Sequence, residues 1–78
     1  MEIRVYGPGC AKCDETERLI RQAVKDLGIT ANVEKVDDFK KMMALGIMST
    51  PAVAIDGKVV AKGRVPGKDE IRGWLAGG

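Results

Sequence analysis

Two cysteines, Cys10 and Cys13, are the residues of this chain best equipped for chemistry, set in a Cys-x-x-Cys spacing within Gly9-Cys10-Ala11-Lys12-Cys13. A helical pattern follows them, so both thiols fall at a helix start, near unpaired N–H groups and the positive end of the helix dipole, which favour a thiolate. The chemistry such a pair supports is dithiol–disulfide exchange. Cys10, at the helix start, is expected to be the more exposed and the better stabilised as thiolate, and so the nucleophile that attacks a partner's disulfide. Cys13, one turn along and facing inward, is expected to attack the Cys10 sulfur and release the partner reduced. A permanent bridge between them closes too short a loop to stabilise a fold much. Lys12 brings a cation that lowers a thiol pKa, whereas Asp14 and Glu15 oppose it; a tuning role for Lys12 and a merely solvated one both stay open.

The elements that must position these thiols can be read in order. Glu2 to Tyr6 alternates polar and apolar with Ile3 and Val5 on one side, a first strand ended by Gly7-Pro8-Gly9. From Cys10 to Leu27 the period is helical, with Thr16, Leu19, Ile20, Ala23, Val24 and Leu27 on one stripe and Gly28 as the stop. Ile29 to Val36 reads as a second strand, with Ala31 and Val33 facing opposite to Asn32, Glu34 and Val36. Asp37 or Asp38 caps a short helix through Phe39, Met42, Met43 and Leu45, stopped at Gly46. Ala52 to Ile55 and Lys58 to Lys62 form a hairpin about Asp56-Gly57. Gly63 to Gly67 is a loop, and Lys68 to Ala76 a last helix burying Ile71, Trp74 and Leu75, with fraying expected at Gly73. The order is βαβαββα: an α/β fold with a four-stranded mixed sheet flanked by helices. Its first two strands are parallel through a right-handed crossover and its last two antiparallel.

Composition narrows the function classes. The chain has 78 residues, 45% hydrophobic, which suits one folded domain over residues 1–78. Thirteen basic and 11 acidic residues, a net charge of +2, are mixed along the sequence and give no electrostatic case for nucleic acid or a membrane surface. No apolar run is long enough to span a bilayer, and the N-terminus enters a strand pattern directly, so a cytoplasmic location and a monomer are expected. In that compartment a close cysteine pair serves catalysis or metal binding more often than stapling. With no histidine and two cysteines, a four-ligand zinc site cannot be built within one chain, so no metal and no cofactor beyond the Cys10–Cys13 disulfide is expected. Met42 and Met43 have helical spacing and read as core, while Met48, in the loop before Pro51, is a candidate for a docking surface. Tyr6 and Pro8 are placed at the rim of the site, with an ordinary strand role for Tyr6 the stronger reading.

Cys-x-x-Cys after a first strand, together with Ser49-Thr50-Pro51-Ala52 leading into the hairpin, resembles the thioredoxin-like superfamily, and most of all its small, glutaredoxin-sized redox-active disulfide proteins. The resemblance covers essentially the whole chain. It departs from the typical pattern at Tyr6-Gly7-Pro8-Gly9, which lacks a Trp before the motif, at the intervening pair Ala11-Lys12, and at Arg4, where typical thioredoxins carry a buried acid. The resemblance implies a thiol–disulfide oxidoreductase and a cis Thr50-Pro51 bond packed opposite the disulfide. It also implies a Thr50 backbone that pairs with an extended partner chain, and a close backbone approach at Gly63. Implied partners are disulfide-containing proteins and, as electron donor, a reductase or low-molecular-weight thiol. A rival reading is a carrier that holds Cu(I) or As(III) on the Cys10/Cys13 pair. Carriers of the copper-chaperone type resemble a βαββαβ order ending in a strand, whereas this chain ends in a helical pattern.

Overall fold

The computed structural model describes residues 1–7 and 11–76. The element order is β1 (Glu2–Tyr6), α1 (Ala11–Leu27), β2 (Asn32–Val36), α2 (Phe39–Ala44), β3 (Ala52–Ile55), β4 (Lys58–Lys62) and α3 (Lys68–Ala76). The sheet order is β2-β1-β3-β4, with β1 parallel to β2 and antiparallel to β3, and β3 antiparallel to β4. This is the mixed four-stranded sheet that the βαβαββα pattern implies.

Side chains alternate across the sheet and build two apolar clusters. Ile3, Val5 and Val53 point to one face, where Ile20 and Ala23 of α1 and Ile71 and Leu75 of α3 cover them. Tyr6, Val36, Ala52 and Ala54 point to the other, covered by Met42 of α2 and by Ile47 just beyond it. Val36 therefore faces away from Val33, as its alternation in β2 demands. Trp74 is half-buried rather than fully enclosed and packs against the first cluster. The helix α3 continues through Gly73 to Ala76.

Three local details explain where elements stop. At the end of α1, Gly28 takes a φ of +64°, its N–H bonds Lys25 O, and the N–H of Ile29 bonds Val24 O. This is a Schellman close, which turns the chain sharply. It uses Ile29 to Ala31 for the return, so β2 begins at Asn32, whose N–H donates to Met1 O, later than the expected Ile29. Leu27, expected on the buried stripe, lies at this turn and is 36% exposed. The same close recurs after α2, where Gly46 N–H bonds Met43 O and Ile47 N–H bonds Met42 O. Ile47 then packs beside Met42 in the second cluster. Asp38 caps the start of α2 by accepting from the Lys40 N–H at 2.9 Å.

The β3–β4 turn places both Asp56 (φ +51°) and Gly57 (φ +85°) in the left-handed region, the two-residue form that matches strand twist. Beyond it the register shifts: Ala54 faces Val59 but Val53 faces Ala61, leaving Val60 as an extra residue in β4. At the start of α3, Glu70 accepts from the Gly67 N–H and takes a double hydrogen bond from Arg64 at 2.6 and 2.5 Å.

Candidate dithiol site

Cys13 lies in the first turn of α1 and is fully buried. One turn further, Thr16 is also fully buried, and its hydroxyl donates to the Lys12 carbonyl at 2.8 Å, satisfying a polar group that would otherwise be costly there. Cys10 lies outside the described residues, as does Pro8; Cys10 is bonded in the chain to Ala11, the first residue of α1. Lys12 is exposed.

The C-terminal end of β1 forms the floor beneath Cys13. Gly7 continues the β1–β2 ladder by donating its N–H to Val36 O at 2.9 Å. A β-carbon at Gly7 would stand 2.9 Å from Cys13 Cβ, closer still to Cys13 Sγ, and 3.8 Å from Thr50 Cβ. Cys13 and Thr50 therefore both flank the side-chain position of this one glycine. The Thr50–Pro51 peptide bond is cis, and Pro51 is fully buried. Pro51 O accepts from the Gly63 N–H at 2.8 Å. Gly63 has a φ of +77°, and a β-carbon there would stand 3.0 Å from Ser49 Cβ. Both the backbone angle and the crowding demand glycine at that point. The structure thus brings Cys13, Thr50, Pro51 and Gly63 together and adds Gly7, which the sequence reading treated as a strand terminator alone.

Lys35 of β2 is the second addition. It forms an ion pair with Asp14, the residue after Cys13. The hydrogen bond to Asp14 is the main reason its ammonium is held above the usual lysine range. Partial desolvation opposes this, and the charges of Asp14, Glu17 and the Cys13 sulfur reinforce it. Asp14 was expected, with Glu15, to oppose the effect of Lys12 on the thiols; its charge is also matched by a lysine from the neighbouring strand. Parallel pairing of Val5 with Lys35 is what carries Lys35 alongside α1. The signal was present as a lysine two residues after the inward-facing Val33, but the strand pairing was needed to use it.

Beside Thr50 a groove of about 470 Å³ runs between α2 and the loop that follows it, lined by Phe39, Met42, Met43, Ile47, Met48, Thr50 and Asp37. Met48 is 87% exposed and Phe39 71%. Met43, expected in the core with Met42, is 53% exposed and lines the groove. The reason is α2's length: a six-residue helix can turn a single face to the sheet, and Met42 occupies it. Tyr6 is buried in the second cluster and not at the rim; a hydrogen bond with it raises the Arg4 guanidinium above its ordinary value.

A thioredoxin-domain family model matches residues 1–76. The chain belongs to the thioredoxin-domain family. The family assignment supports a thiol–disulfide oxidoreductase in general terms. Among curated relatives, a protein named thioredoxin from Methanothermobacter thermautotrophicus is 42% identical over 76 residues, covering 97% of this chain and 99% of the relative. Another thioredoxin, from Methanocaldococcus jannaschii, is 38% identical over 79 residues, covering 96% and 91%. A probable thioredoxin from Methanothermobacter marburgensis is 35% identical over 75 residues, covering 91% and 87%. These thioredoxin-domain relatives give the soft-metal carrier reading no support.

Proposed function

We propose that this protein reduces disulfide bonds in other proteins, with Cys10 as nucleophile and Cys13 as the resolving thiol. The observation that carries the reading is the asymmetry around the motif. Cys13 is fully buried against Gly7, with Thr50 on the other side of that glycine, while its partner in the Cys-x-x-Cys spacing comes directly before the helix. In the first step the Cys10 thiolate attacks one sulfur of the partner's disulfide. The Cys10–partner bond forms, the partner's S–S bond breaks, and the departing thiolate takes up a proton. In the second step Cys13 gives up its proton and its sulfur attacks Cys10 Sγ. The mixed disulfide breaks, the partner's second thiol leaves, and the Cys10–Cys13 disulfide remains. Two electrons have moved to the partner. A reductase or low-molecular-weight thiol then returns the protein to its dithiol form.

Each neighbouring group has an assigned part. The N–H groups of the first turn of α1 and Lys12 favour the Cys10 thiolate. Lys35, held charged by Asp14, favours the anionic form of Cys13 as it resolves the mixed disulfide. Thr50 offers its backbone to an extended partner strand, and Gly63 lets the β4 end approach the Pro51 loop closely enough to leave that edge open. Met48, with Phe39 and Met43, receives apolar side chains flanking the partner's disulfide. The protein acts as a cytoplasmic monomer on disulfide-containing proteins, without a bound cofactor.

The test is reduction of insulin by wild type and by single serine variants of each cysteine, with dithiothreitol as donor. Cys10→Ser is expected to abolish turnover. Cys13→Ser, reduced and then freed of dithiothreitol before insulin is added, is expected to stop after one step and accumulate a covalent complex visible on non-reducing gels. Tight uptake of one Cu(I) per chain without disulfide reduction would replace this reading with the carrier one.

A further inference from the structure

We propose that Gly7 is the positioning residue for the resolving cysteine: its missing side chain is the space in which the Cys13 sulfur is seated. The inference rests on the reading of Cys13 as the thiol that resolves the mixed disulfide. Four observations carry it.

The first is the overlap. A β-carbon at Gly7 would stand 2.9 Å from Cys13 Cβ and nearer still to Sγ, below any separation that two such atoms tolerate. The second is that the overlap has no cheap escape. Rotating the cysteine about its Cα–Cβ bond moves the sulfur but leaves Cβ where it is, and Cys13 is fully buried in the first turn of α1. The third is that Gly7 itself is held. Its N–H is bonded to Val36 O at 2.9 Å, and the added β-carbon would also stand 3.8 Å from Thr50 Cβ, in ordinary contact on its other side. The fourth separates Gly7 from other glycines. Gly28, Gly46, Gly57 and Gly63 take positive φ values that only glycine adopts readily, whereas Gly7 does not. At Gly7 the requirement is for space, set by the sulfur that fills it.

An added methyl group must therefore push the first turn of α1 away from the end of β1. That moves the Cys13 sulfur relative to its partner. A disulfide tolerates a narrow range of Cβ separations, near 3.5–4.5 Å, and misplacement of a reacting group by about 1 Å can cost on the order of 100-fold in rate. The first exchange step, which uses Cys10 alone, does not depend on where Cys13 stands. The second does.

Reaction with 5,5′-dithiobis(2-nitrobenzoate) separates the two steps. One equivalent of the yellow thiolate is released when Cys10 is captured, and a second when Cys13 expels the reagent from the mixed disulfide. Gly7→Ala is expected to slow the second release at least tenfold while changing the first less than twofold. Gly73→Ala, in open space on α3, is expected to change neither. Equal slowing of both phases, or no slowing, would overturn the proposal. Melting temperatures test the contact without the chemistry. Gly7→Ala should lower Tm in wild type, yet leave it unchanged or raise it in Cys13→Gly, where the methyl group fills the vacated space. The same Tm loss in both backgrounds would overturn the contact. If Cys13→Ser keeps the second release, the resolving role of Cys13 fails and the positioning role falls with it, whereas the Tm comparison still reports on the packing alone.

Discussion

The two faces of the sheet are built to different standards. On one, a 17-residue helix and a nine-residue helix cover Ile3, Val5 and Val53 completely, and the start of the longer helix holds Cys13. On the other, a six-residue helix covers Tyr6 and Ala54 with Met42 and leaves Phe39, Met43 and Met48 in solvent along a groove that reaches Thr50. The first face supplies stability and fixes the thiol. The second is covered more thinly, and its exposed apolar surface adjoins Thr50. The difference teaches that a closely packed face and a thinly covered one can share a single sheet, with Cys13 and Thr50 on either side of Gly7 at its end.

Substitutions can break that contrast. The largest effect is expected on the two-helix face. Ile20→Ala removes a fully buried side chain and should cost about 3 kcal/mol in urea unfolding, within the range for such truncations. The companion change on the open face, Phe39→Ser with Met48→Ser, should alter stability by no more than about 0.5 kcal/mol. It should nevertheless raise KM for insulin about fivefold with kcat nearly unchanged. If that pair of serines destabilised the fold as much as Ile20→Ala, the two faces would not differ as described.

A smaller effect sharpens the picture of the thinly covered face. Asp38→Ala removes the cap of α2 and should cost about 1 kcal/mol, measured by the same unfolding curve. Because α2 is short, the loss should appear as early hydrogen exchange at Met42 and Leu45, ahead of α1.

The smallest effect concerns pH on the two-helix face. Glu70 is held below the usual carboxylate range, first by the hydrogen bonds from Arg64 and then by the Gly67 N–H and the Arg64 charge, against partial desolvation. A carboxylate with a depressed folded pKa contributes stability above its unfolded pKa, and that contribution is lost as pH falls through the lower folded value. Wild type should therefore lose more of its urea midpoint below pH 5 than Glu70→Gln does. Equal acid sensitivity in the two would show that the Arg64 contact is inert in solution.

Much of this frame was legible in the sequence because it is written in local chemistry. Gly28, Gly46 and Asp56-Gly57 need φ values that few other residues adopt, so helix ends and the hairpin could be placed from residue type alone. The parallel start and antiparallel finish followed from what joins the strands. What was not legible depends on pairing across the sheet. The order β2-β1-β3-β4, the extra residue Val60 and the approach of Lys35 to Asp14 require a register that no local signal sets. Gly7 was hidden for the same reason: its demand for space comes from a helix that follows it, not from its own backbone. Met43 was misplaced because helical spacing alone does not say how wide a strip the sheet can cover.

The unpaired Val60 has a further consequence. β4 is an outer strand of the sheet, and its ends are Lys58 and Lys62. An irregular, lysine-ended rim is a poor template for another molecule's β-sheet. If the protein holds extended polypeptide as proposed above, pairing with another copy of itself is a standing risk, and the extra residue at Val60 blunts one of the two outer strands at which it could occur.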